Sequence, residues 1–163
     1  MKQLWAPWRL EYIVAEEKPD GCIFCVFPQQ DEDEKNLIIH RGKHAFVIMN
    51  RFPYSNGHLL IPPYRHVADI TELTDEENLE IMQLTQKCCT VLKAICKPDG
   101  FNIGINLGTA AGAGIADHVH LHIVPRWNGD TNFMPVFADI KVVPQALETT
   151  YKQLKAQFDR LDK

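Results

Sequence analysis

Three of the seven histidines in this 163-residue chain stand at every second position, His118, His120 and His122, within "ADHVHLHIVPRW", residues 116–127. Val119, Leu121, Ile123 and Val124 fill the gaps, and alternation of period two is the signature of a half-buried strand. The three imidazoles therefore share one face. At ~3.3 Å rise per residue the outer two lie about 13 Å apart, so the row can line a site but can hardly ligate one ion together. A single histidine in a strand is ordinarily a half-exposed polar residue. Three in register each lose hydration on burial, which implies a polar ligand or a metal at that face.

Just upstream, "NLGTAAGAGIAD" places glycines at 108, 112 and 114. The spacing fits neither the dinucleotide fingerprint nor a P-loop, because no lysine follows and a strand, not a helix, comes next. A flexible turn is the plain alternative. Small residues before a histidine strand also let backbone N–H groups converge on an anion as a nest, and phosphate is the natural occupant. A second cluster, "DGCIFCVF", sets Cys22 and Cys25 at the spacing that grips one metal, although two cysteines are half a site. A redox pair, two incidental small apolar residues and a zinc site are the competing readings. The lack of a surrounding βαβ pattern disfavours the first.

These groups need a scaffold to position them. Aliphatic-rich runs occur at "NLIIH", "HAFVIMN", "HLLIPPY", "FNIGINL" and "HVHLHIV", separated by turn signals. Between the third and fourth lies one long helix, opened by a capping box of Thr74 and Glu77 and closed before Pro98 and Gly100. Its apolar face comprises Leu79, Ile81, Met82, Leu84, Cys88, Val91, Leu92 and Ile95. A second helix, over about 144–161, starts near Pro144 and carries Leu147, Tyr151, Leu154, Phe158 and Leu161. Strands joined by short turns with one helix inserted predict an antiparallel α+β fold rather than a parallel βαβ sheet. The acidic run "QQDEDEK", 29 to 35, reads as a solvated loop, and His40 and His44, flanking a turn, read as solvent-facing.

Length suits one domain over 1–163 with a core that needs no disulfide. With 17 basic against 21 acidic residues, a net charge of −4 and no basic block, a nucleic-acid footprint is not expected. The N-terminal "MKQLWAPWRLEY" is interrupted by Arg9 and Glu11, and no run of 18 apolar residues occurs, so neither a signal peptide nor a membrane partner is expected. Five cysteines, with Cys88 and Cys89 adjacent in a helical pattern, make a poor disulfide framework and suit a reducing, cytoplasmic compartment.

"HVHLHIV" resembles the His-φ-His-φ-His-φ-φ motif, φ being apolar, of the histidine triad (HIT) superfamily of nucleotide hydrolases and transferases. "NRFPYSNGHLLIPPYRH", 50 to 66, resembles that family's second block, and "LWAPWR" with "PRWNGDTNF" looks most like the branch holding the fragile histidine triad proteins and the diadenosine tetraphosphate phosphorylases. Nearly the whole chain is covered. The resemblance implies a HIT-like fold, an antiparallel five-stranded sheet with one long helix and a C-terminal helix, in a homodimer whose sheets join.

It also implies chemistry at an α-phosphate. His120 would attack the phosphorus to leave a nucleotidyl-imidazole, a role suited to a neutral imidazole. His122 would contact phosphate or protonate the leaving oxygen. The backbone of Gly112, Gly114 and Ile115 would cradle the non-bridging oxygens, Asn106 matches a phosphate contact, and Asn50 falls where the family binds ribose hydroxyls. The fragile-histidine-triad hydrolases have glutamine where this chain has Gly114. Small residues there resemble the phosphorylases, which favours inorganic phosphate over water as the acceptor.

Several members of the family carry a structural zinc on residues matching Cys22, Cys25, His66 and His118. Four protein ligands leave no open position, so that zinc would hold the N-terminal segment, 1–30, to the core. His58, eight residues before His66, reads as a structural strand residue, and Trp127 and Phe133 follow the motif closely enough to wall a base pocket. No organic cofactor is expected. The expected substrate is an adenine dinucleoside polyphosphate or an AMP derivative. The rival readings are a nucleoside phosphoramidase, a non-catalytic nucleotide- or partner-binding protein, and a metalloenzyme that uses all three histidines as ligands.

Overall fold

The computed structural model describes residues 21–130 and 145–162. Trp5, Trp8, Phe133, Pro144 and the "LWAPWR" motif lie outside the described residues. Five strands form one antiparallel sheet: β1 (Ile38–Arg41), β2 (Phe46–Met49), β3 (Leu59–Ile61), β4 (Gly100–Ile105) and β5 (Leu121–Arg126), in the order β1-β2-β3-β5-β4. Two one-turn helices, α1 (Ile23–Val26) and α2 (Asp33–Asn36), precede the sheet; α3 (Asp75–Cys96) and α4 (Leu147–Leu161) pack on it. The expected α+β fold is the one observed.

α3 begins where the sequence sets it. The Thr74 side chain accepts from the Glu77 N–H, and the Glu77 carboxylate accepts from the Thr74 N–H, closing the capping box. Ile81, Leu84, Cys88, Val91 and Leu92 bury their side chains, but Leu79 and Met82 are exposed, so the core face of α3 is narrower than its apolar pattern. α4 packs Tyr151, Leu154 and Phe158 inward, and the Tyr151 hydroxyl donates to the Ile38 carbonyl at 3.2 Å.

Three further expectations are corrected. First, the histidine run is not a strand throughout. β5 begins only at Leu121, paired with Ile61. The next residues of β3's path are Pro62 and Pro63, which have no N–H to donate, so the ladder stops there. Val119 donates instead to the Val67 carbonyl at 2.7 Å. The run is also buried on both faces, not half-exposed.

Second, the acidic segment is not a plain solvated loop. It forms α2, and Arg41 forks onto the Asp33 carboxylate while donating to the Pro28 and Gln30 carbonyls. Third, His40 does not face solvent. Its ring stacks on Phe158 at 5.5 Å, and its Nδ1 lies 3.3 Å from Asp162.

The turn between β1 and β2 is fastened to α3 by one carboxylate. Glu80 accepts the backbone N–H groups of Lys43 and Ala45, both at 2.8 Å, and that of His44 between them. Burial works to raise the Glu80 carboxyl, but these three donors outweigh it and hold it below the usual range. Gly42 is required beside it, since a Cβ there would stand 2.7 Å from the Ala45 oxygen and 2.9 Å from the Glu80 carboxylate. Glu80→Ala strips an ionised acceptor from three donors. We expect a loss of about 1–3 kcal/mol in denaturant unfolding, and a midpoint equal to wild type would contradict this account of the turn.

Candidate active site and metal centre

The imidazole row divides into two functions. His118, fully buried, donates from Nε2 to the Pro63 carbonyl at 3.0 Å. Its Nδ1 lone pair is thereby aimed at Cys22 Sγ (3.2 Å), Cys25 Sγ (3.6 Å) and His66 Nδ1 (3.2 Å). One donor atom from each of these four residues lies within 4.8 Å of the others. Two thiols and two imidazoles this close are the donor set of a tetrahedral site, and a carbonyl fixing the outer nitrogen of a ligand histidine is the usual supporting contact. Burial, and then Cys22, push the Cys25 thiol up. A cation among the donors reverses that preference by stabilising thiolate.

Arg65, next to His66, is clamped to the first turn of α3. Its Nε and Nη2 donate to the buried Glu77 carboxylate at 3.0 and 2.8 Å. The cluster could therefore bind a metal held between α1, the segment after β3 and the start of the triad. His118 is the only triad member in it, so the reading in which all three histidines ligate one ion does not hold.

His120 and His122 line the second half, their ring centroids 4.7 Å apart. The His120 Nδ1–H donates to the His118 carbonyl at 2.8 Å, which leaves a lone pair on Nε2. For His122 the tautomer follows from a relay. The Tyr54 backbone N–H donates to His58 Nδ1 at 3.1 Å, so the His58 proton resides on Nε2, from which it is donated to His122 Nδ1 at 3.0 Å. The proton of neutral His122 is therefore on Nε2. That buried N–H has no partner among the described residues, and such a group calls for a ligand.

Burial lowers the pKa values of His118 and His120, and burial together with His120 brings His122 down to about 4. All three are neutral near pH 7. The site thus offers a nucleophilic lone pair beside an N–H donor, on uncharged rings.

His58, only 1% exposed, has a larger part than that of a structural strand residue, since it sets the His122 tautomer. The sequence signal was a polar residue at the head of an apolar strand. The preceding Gly57 takes φ +75, and a Cβ there would press on Leu92 at 3.0 Å. Tyr54 lies parallel to the His122 ring, at 5.9 Å and 8°. Asn50, at the end of β2, reaches His58 Nδ1 at 3.2 Å with its amide and accepts from the Phe52 N–H at 2.9 Å, so the structure joins it to this relay.

Asn106 follows β4, half-buried, with no side-chain bond among the described residues. In the glycine loop the Gly112 N–H closes a short turn onto the Thr109 carbonyl at 3.0 Å, so it is not free for an anion in this conformation. The N–H groups of Gly114 and Ile115 have no partner among the described residues. Trp127 donates its indole N–H to the Cys96 carbonyl at 3.1 Å, tying the end of β5 to the end of α3.

A depressed imidazole pKa has a stability consequence. Between about 6.5, the value of an unfolded histidine, and about 4, the unfolded chain holds the proton that folded His122 lacks. Unfolding then takes up protons, so stability falls as pH drops through this window. Thermal melts from pH 7 to 4 should show that slope, reduced in His122→Asn by up to about one proton. Identical slopes in the two proteins would contradict it.

Comparison with known proteins identifies the family. The chain is 40% identical to the AP-4-A phosphorylase of Mycobacterium tuberculosis, over 98% of this chain and 86% of that protein. It is 31% identical to an uncharacterized HIT-like protein of Methanocaldococcus jannaschii, over 82% and 98% of the two chains. Among solved structures, a zinc-bound histidine triad family protein from Mycobacterium smegmatis superposes with a TM-score of 0.69 at 29% identity, covering 87% of this chain and 96% of that one. Among the described residues no helix is long and apolar enough to cross a membrane. The HIT domain family model matches residues 30–129, and the chain belongs to that family.

Proposed function

We propose that this chain is a nucleotide-processing enzyme that cleaves dinucleoside polyphosphates of the diadenosine tetraphosphate type, with phosphate as the second acceptor. The observation that carries the reading is the pair of opposite roles on neighbouring rings, a lone pair at His120 Nε2 and an N–H at His122 Nε2 that has no partner among the described residues. The likeness to a protein named AP-4-A phosphorylase supports the substrate class.

In the first step His120 Nε2 forms a bond to the α-phosphorus, and the bridging P–O bond breaks with its electron pair going to the departing ATP. The nucleotidylated ring then bears phosphorus on Nε2 and hydrogen on Nδ1, and the His118 carbonyl accepting from Nδ1 offsets the positive charge that results. His122, neutral at working pH, donates from Nε2 to a phosphoryl oxygen rather than giving up its proton. The departing polyphosphate is a stable anion that needs no full protonation. Gly114 and Ile115 N–H groups add donors to the cradle, Gly112 shapes the loop, Asn106 reaches phosphate and Asn50 the ribose. In the second step a phosphate oxygen attacks, the P–N electrons return to Nε2, and ADP leaves.

Cys22, Cys25, His66 and His118 are the residues to hold zinc. With four protein donors such an ion supplies no catalytic chemistry but fastens α1 to the triad. A zinc-bound relative supports the choice of metal. The reading further assigns the chain to the cytoplasm as a single-domain homodimer. Five free cysteines suit a reducing compartment, and β4, paired among described strands only with β5, exposes Ile103 on an edge that a second sheet can join.

Diadenosine tetraphosphate with inorganic phosphate should yield ADP and ATP. His120→Gly should keep nucleotide affinity yet lose turnover by several orders of magnitude. Product chromatography checks both: AMP instead of ADP under abundant phosphate makes the protein a hydrolase, and high activity in His120→Gly removes the nucleophile.

Purified protein should contain about one zinc per chain. Cys22→Ser combined with Cys25→Ser should abolish binding and lower the melting temperature. Elemental analysis that finds the same metal content in the double variant excludes these ligands.

A further inference from the structure

We propose that Phe24 is a positioning residue for the nucleophile, held between the two thiols so that metal binding and the placement of His120 become a single event. This rests on the nucleotidyl-His120 chemistry above. Phe24 lies between Cys22 and Cys25, and it is 1% exposed. Its ring stands 4.9 Å from the His120 ring, tilted by 48°, and 5.3 Å from the His118 ring, edge-on at 68°. One aromatic side chain thus touches both a metal-donor histidine and the nucleophile.

His120 needs such a wall. Among the described residues its ring makes one hydrogen bond, from Nδ1 to the His118 carbonyl, and one bond at one edge of a ring leaves the ring free to tilt about it. The Phe24 ring and the His122 ring, the latter at 4.7 Å and 51°, both pack against it. Between them they fix the direction of the Nε2 lone pair. A neutral ring is also the right neighbour, since a polar one would hydrogen-bond that lone pair and blunt it.

The wall is itself tethered by the metal donors. α1 is a single turn, too short to persist on helical propensity. Its backbone closes locally, with the N–H groups of Cys25 and Val26 both donating to the Cys22 carbonyl at 3.0 Å. Its side-chain hydrogen bonds to the rest of the described residues are those of Cys22 and Cys25 with His66 and His118. Drawing those four donors together fixes the two residues that flank Phe24, and thereby the ring's approach to His120. A metal held by these four residues would act on the reaction through the packing of Phe24, without touching substrate.

The test separates placement from mere folding. Phe24→Leu leaves all four donors, the glycine loop and Asn50 untouched. It should retain about one metal per chain and the wild-type affinity for AMP. The single-turnover rate of nucleotidyl-His120 formation from diadenosine tetraphosphate, measured without phosphate, should fall about ten- to a hundredfold. A metal-loaded Phe24→Leu that nucleotidylates at the wild-type rate overturns the proposal. A wild type that forms no nucleotidyl-His120 at all fails the reading above instead.

Should Phe24→Leu lose its metal, the wild-type protein decides. Nuclear Overhauser contacts between the Phe24 and His120 rings should vanish on chelation while those across the Leu60–His122 pair of the sheet persist. Survival of the Phe24 contacts without metal, or their loss only together with the sheet's, overturns it.

Discussion

Two consecutive prolines set the limit within which this site is built. A strand edge without N–H groups cannot extend a ladder, and Pro62 and Pro63 end β3 opposite the point where the triad begins. His118 to His120 consequently run off the sheet, with no strand partner for their carbonyls among the described residues. The Pro63 carbonyl receives the His118 ring and the His118 carbonyl receives the His120 ring. Each bond assigns one ring nitrogen as donor and so leaves the other as a lone pair, that of His118 aimed at Cys22, Cys25 and His66 and that of His120 on Nε2. The chemical division of the row follows from where the backbone stops pairing.

The third histidine has its opposite polarity from a longer chain of donors. A backbone N–H at Tyr54 forces His58 to donate, and His58 forces His122 to present an N–H outward. Burial keeps all three rings uncharged. The result is a candidate site without a formal positive charge among its histidines. Under the proposed function, recognition there would rely on oriented dipoles, which cost little reorganisation as charge moves during reaction.

Much of this was legible in the sequence, because period and spacing are local properties. The five strands and the capped long helix announce themselves by residue type at fixed intervals, whereas the cysteine pair alone is half a site and only the family resemblance joined His66 and His118 to it. What was not legible depends on partners far apart in the chain. His58 and His122 are 64 residues apart, and Glu80 meets Ala45 across 35. His40 looks like any polar strand end until Phe158 arrives beneath it. Leu79 and Met82 belong to an apolar pattern wider than the face the sheet can cover. The late start of β5 was written in "IPPYRH", yet its effect appears only when β3 and β5 are set side by side.

The metal cluster straddles a boundary in the chain. His66 and His118 lie within residues 30–129, which match the HIT domain, whereas Cys22 and Cys25 precede them. The pairing sheet, the triad and its relay are all contained in the shared part, and the thiols and the ring between them arrive from outside it. A substitution before residue 30 can therefore reach the metal cluster while leaving the hydrogen bonds of His120 and His122 intact.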